Sequence, residues 1–131
     1  MKYLGIDYGL SKIGLALGDS ETGIASPVDV IANTPHTIED IKQFMELEGV
    51  DELVVGVPLP TGDYSGEQLE ITQSFIDALR EAGLVVHSVD ESYTSAESQR
   101  IQEEEGSDVE EDALAAMLIL QGFLDEKRAT Q

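Results

Sequence analysis

The sequence predicts an α/β fold on a five-stranded mixed sheet, with the first three strands antiparallel, the rest parallel β-α units, and helices on both faces. Three observations lead there. Three β-prone runs come before any helical period, the pattern of a meander. Apolar strands then alternate with segments of helical period, the pattern of crossover connections. One of those strands, from Leu53 to Leu59, is apolar almost without a break, as suits a strand covered on both faces.

Residues 3–8 (YLGIDY) form the first strand and end at Gly9, and 12–18 (KIGLALG) form the second. The turn-like residues between them make the pair a hairpin. Residues 24–32 (IASPVDVIA) give a third strand, and Pro27, with no N–H to donate, belongs at an edge or a bulge. Asn33-Thr34-Pro35 stops it. A helix runs from Thr37 to about Leu47, with Ile38, Ile41, Phe44 and Met45 on one face, and Gly49 closes it. After the Leu53–Leu59 strand comes the turn-rich PTGDYSG. The next helix covers about Glu67 to Glu81, turns Leu69, Thr72, Phe75, Ile76 and Leu79 inward, and ends before Gly83. Leu84–Val89 is the last strand. Thr94 and Glu97 have capping-box spacing and open a third helix. Seven acids in the ten positions 103–112 read as a solvated helix end and loop that like charges fray. From Asp112 a helix apolar nearly all round must pack on the sheet, and a polar tail after about residue 126 should fray.

At 131 residues the chain fits a single domain, 1–131, because domains commonly hold ~100–200 residues. The absence of cysteine excludes disulfides, thiolate catalysis and cysteine-held metals. The two histidines, His36 and His87, read as surface or loop residues without a role. No stretch is apolar enough to span a membrane and no signal-peptide core opens the chain, so a soluble, cytoplasmic protein is expected. Seven basic residues against 27 acidic ones give a net charge of −20. That opposes a phosphate backbone, so binding of nucleic acid must work through a local site or through bound divalent cations. The acidity also suits solubility in a salty cytoplasm.

In a sheet of this kind, polar side chains at the carboxyl ends of central strands converge on a crevice. Asp7 interrupts an apolar strand near its end, Asp90 and Glu91 follow the last strand, and Asp112 starts the apolar helix. Each has a plainer explanation: Asp7 as a turn former before Tyr8-Gly9, Asp90 and Glu91 as loop residues, and Asp112 as a favourable acid in a first helical turn. Gathered together, carboxylates raise each other's pKa unless a cation joins them, and Mg²⁺ and Mn²⁺ prefer such oxygen ligands. Gly5, Gly9 and Gly14 do not make a dinucleotide fingerprint, and no phosphate-loop lysine follows them.

Four blocks, MKYLGIDYGLSKIGLALGD, VVGVPLPTGD, VDESYTSAES and DALAAMLILQGFLDE, fall in the order found in YqgF-type proteins. The chain resembles that family over essentially its whole length. The family comprises Holliday junction resolvase-like proteins and pre-16S rRNA nucleases with a ribonuclease H-like fold. The resemblance implies that Asp7, Glu91 and Asp112 are the catalytic and metal-holding carboxylates, with Asp90 a weaker candidate. It implies Lys12 and Thr94 as substrate contacts, and one or two Mg²⁺ or Mn²⁺ ions as cofactor. It further implies structured RNA or branched DNA as substrate, rRNA-processing or transcription proteins as partners, and a monomer or homodimer. Three positions depart from the family pattern: Ser11 where a basic residue is common, Pro60 where asparagine often stands, and Ser92 in place of arginine. Lost cations weaken phosphate binding. They motivate the alternative of a catalytically weakened interaction module that binds a protein partner. A third reading, an actin-like ATPase prompted by GIDYG, needs two such domains.

Overall fold

The computed structural model describes residues 1–57, 67–90 and 111–129. Strands β1 (Lys2–Tyr8), β2 (Lys12–Asp19) and β3 (Ile24–Ala32) come first. Helix α1 (Thr37–Glu48), strand β4 (Glu52–Val57), helix α2 (Glu67–Glu81), strand β5 (Val86–Asp90) and helix α3 (Glu111–Ala129) follow. The sheet order is β3-β2-β1-β4-β5. β1 pairs antiparallel with β2 and β2 with β3, while β1–β4 and β4–β5 are parallel. This is the predicted mixed sheet, with β1 at its centre. The third helix expected from Thr94 lies outside the described residues, as does the end of the Leu53–Leu59 run.

Both crossover connections, through α1 and through α2, step the sheet in the same direction. Right-handed crossovers therefore put both helices on one face. The core agrees: Leu4, Ile6, Ile13, Leu15, Leu53, Val55 and Val57 pack with Ile41, Met45, Phe75, Ile76 and Leu79. Helix α3 takes the other face, where Ala116, Ile119, Leu120 and Leu124 meet Tyr3, Ala16, Ala25 and Val54. The alternation of side chains along a strand sets this division: Leu4 and Ile6 to one side, Tyr3, Gly5 and Asp7 to the other.

The α3 face is lined with small residues, and the helix lies close to the sheet because of them. A β-carbon at Gly5 would come within 2.7 Å of Leu120 Cβ, and one at Gly18 within 2.9 Å of Leu124 Cδ1. At Gly14 it would run into the carbonyl of Asp112. Gln121 anchors the helix further along, accepting from the Ala25 N–H at 2.9 Å and donating to the Gly23 carbonyl at 2.8 Å.

Local signals behave as their chemistry dictates. Gly49 adopts φ 68° and donates its N–H to the Met45 carbonyl, closing α1. Lys2 Nζ binds the Glu48 carbonyl at 2.7 Å at the same helix end. On β3, Ala16 pairs with Pro27 but Leu15 pairs with Asp29, so Val28 is an extra residue in a bulge on an edge strand. Helix α3 runs through Ala129, with Lys127 and Arg128 in a last turn whose dipole favours cations. Arg128 packs over Gly23 and donates to the Thr22 carbonyl. One expectation is corrected: His87 is not a roleless surface residue. It lies within β5, and its Nε2 is 2.7 Å from Glu52 Oε1.

Candidate active site

Asp7 stays inside the β1 ladder, paired with Gly14 of β2 and half-buried. It is a strand residue and not a turn former. Facing residues of an antiparallel pair present their side chains to the same side, so Asp7 looks onto the α3 face, above the position where Gly14 has no side chain. The first turn of α3 fills that gap, with the Asp112 backbone seated on Gly14. Asp112 thus sits over β2, the neighbour of the Asp7 strand. It too is half-buried. One glycine admits a helix backbone here, and so brings the start of α3, 105 positions later in sequence than Asp7, over the strand paired with the Asp7 strand.

Lys12 opens β2 on the same face, two residues before Gly14, and is exposed. Asp90 does not join this group. It pairs in parallel with Val57, whose side chain lies in the α1/α2 core, so Asp90 belongs to the opposite face of the sheet. Glu91 and Thr94 lie outside the described residues. Among the described residues no three His, Asp or Glu side chains form a metal-holding cluster. The donor chemistry that is in place, two half-buried carboxylates and no sulfur or imidazole beside them, fits a hard divalent cation.

One residue that the sequence reading passed over shapes this end of the sheet. Asn33, read there only as a strand stop, donates from Nδ2 to the Gly9 carbonyl at 2.8 Å and from its backbone N–H to the Ser11 carbonyl at 2.9 Å. An asparagine just past a strand carries this donor chemistry, but its target 24 residues earlier has no local signal. A groove of about 790 Å³ runs along β5, lined in part by Arg80, His87, Asp90, Phe123 and Lys127. Asp7, Lys12 and Asp112 do not line it.

The family model described as "RuvX: Holliday junction resolvase" matches residues 1–126. The chain belongs to the RuvX family. Its relatives include the "Putative pre-16S rRNA nuclease" of Anaplasma marginale, 34% identical over 95% of this chain and 84% of that protein. The protein of the same name from Opitutus terrae is 38% identical over 97% and 93%. Among solved structures, T. thermophilus RuvC in complex with a Holliday junction substrate superposes with a TM-score of 0.63 at 14% identity, covering 99% of this chain and 98% of that one. The fowlpox virus resolvase bound to its junction DNA gives 0.59 at 10%, over 97% and 99%. At those identities the likeness establishes the fold, which is ribonuclease H-like, as expected. The RuvX-family chain is thus a nuclease by descent, and no helix among its described residues is long and apolar enough to cross a membrane.

Proposed function

We propose that this RuvX-family chain is a divalent-metal-dependent nuclease that hydrolyses phosphodiesters in structured nucleic acid, with precursor 16S rRNA its substrate. The observation that supports the reading is the seating of the Asp112 backbone on Gly14, the residue paired with Asp7 across β1 and β2. The names of the curated relatives favour rRNA over branched DNA as substrate. Asp7, Glu91 and Asp112 would hold one or two Mg²⁺ or Mn²⁺ ions. Such ions activate a water and offset charge on the scissile phosphate, supplying the positive charge that a chain of net −20 lacks. Asp90 is set aside, since it lies on the far face of the sheet.

The chain's own residues divide the remaining work. Asp7 is held in the β1–β2 ladder opposite Gly14, one residue past the last β1–β4 pair, which fixes its backbone before substrate arrives. Lys12, on the same face, offers a cation to a phosphate oxygen and orients the backbone to be cut. Thr94 offers a hydroxyl to the same backbone. The domain acts as a unit of residues 1–131, in the cytoplasm, as a monomer or homodimer.

The test is cleavage of a 5′-extended 16S rRNA fragment and of a four-way DNA junction, in Mn²⁺, Mg²⁺ or EDTA, beside Asp7→Asn. The expected result is metal-dependent cutting of the RNA that falls roughly 100-fold or more in the variant, with its fold retained. Cutting of the junction alone would move the substrate to DNA. A folded wild type that cuts neither would leave the interaction module, toward which the serines at 11 and 92 already point.

A further inference from the structure

The Gly9–Lys12 turn lies beside Asp7 and carries the lysine assigned to phosphate, yet little packing holds it. Leu10, Ser11 and Lys12 are all exposed, Leu10 by 65%. The β1–β2 and β2–β3 ladders flank it, and one residue from the end of β3 reaches into it. Asn33 binds both ends of the turn, donating from its side chain to the Gly9 carbonyl and from its backbone to the Ser11 carbonyl. The turn is also closed on itself, for a β-carbon at Gly9 would come within 2.5 Å of the Lys12 carbonyl. Asn33 is half-buried, and its Oδ1 faces the Thr37 hydroxyl at 3.5 Å. Thr37 is 3% exposed in the first turn of α1 and accepts the Thr34 N–H at 2.8 Å. The turn is thereby tied through Asn33 to a buried helix start.

We propose that Asn33 is a positioning residue of the nuclease site: it clamps the Gly9–Ser11 turn so that Lys12 meets the phosphate beside Asp7. This rests on the nuclease reading. The chemistry requires an asparagine. The Gly9 carbonyl needs a donor, which aspartate lacks, and serine and alanine do not reach it. A lysine is a flexible point charge, so its use at a phosphate depends on where its backbone is held. A misplacement of about 1 Å near a reacting group can cost ~100-fold in rate.

A double-mutant cycle of Asn33→Ala and Lys12→Ala tests the inference, reading kcat and KM on the RNA fragment and binding to it by anisotropy in EDTA. Hydrogen exchange of the Leu10, Ser11 and Lys12 amides is followed alongside. Asn33→Ala should speed exchange in the turn and raise KM about 10-fold, with kcat within about threefold. In the Lys12→Ala background it should add less than about twofold, because the effect passes through Lys12. Equal losses in both backgrounds, or wild-type KM with a loosened turn, would overturn the role of Asn33. A wild type that neither cuts nor binds would instead overturn the nuclease reading, and the inference with it. Asn33→Ser, which also keeps the backbone bond to Ser11, replaces the alanine variant should that one not fold.

Discussion

The two faces of the sheet are built on opposite principles. Toward α1 and α2, large side chains interlock: Leu4, Ile6, Ile13 and Leu53 are fully buried against Ile41, Ile76 and Leu79. Toward α3 the strands offer Gly5, Gly14, Ala16 and Gly18, and the helix answers with a buried Ala113–Ala116 run. Bulky interdigitation holds a helix off a sheet, whereas small residues let backbones approach. The first face therefore supplies most of the apolar burial. The second supplies proximity, which lets the Asp112 backbone at the start of α3 settle on Gly14, the residue paired with Asp7. Stability and site geometry are thus divided between the two sides of one sheet.

The contrast can be broken most severely on the bulky face. Ile76→Ala should cost about 2–5 kcal/mol of unfolding free energy, measured by urea titration, because the cavity it leaves cannot close. Its cleavage rate per folded molecule should stay at the wild-type value, since the described site residues Asp7, Lys12 and Asp112 lie on the other face. Gly14→Ala should cost less, about 1–3 kcal/mol, by overpacking against the Asp112 carbonyl. Its cleavage of the RNA fragment should nonetheless fall far more than that of Ile76→Ala. Equal activities for the two folded variants would show that the α3 seat does not serve the site. The smallest effect has the opposite sign. The Tyr3 hydroxyl is buried on the α3 face without a hydrogen-bond partner among the described residues. Tyr3→Phe should be neutral or stabilising by up to about 1 kcal/mol in the same titration.

Much of the fold was legible because its signals are local. The periods of α1 and α2, the glycines that close them, and the awkwardness of Pro27 each depend on a few neighbouring residues, and the structure places all of them as expected. The candidate site was legible only as a set of acids. That the start of α3 packs on the Asp7–Gly14 pair depends on Gly14, whose importance lies in a helix about 100 residues later. That Asp90 faces away depends on parallel register with Val57, which no local pattern encodes. Asn33 and His87 escaped for the same reason, since their partners Gly9 and Glu52 are distant in sequence. The contact of Arg128 with Gly23 is tertiary as well and has no local signal.

The bulge on β3 has a bearing on how the protein keeps company with itself. β3 is an edge strand of nine residues with Ile24 and Val28 exposed, the kind of border on which another chain could add a strand and begin an aggregate. Pro27 removes a donor from that border, and the extra residue at Val28 throws its spacing out of step. An incoming strand therefore finds no continuous ladder to extend. With a charge of −20 holding copies apart, the molecule can be crowded without seeding fibres along its most exposed rim.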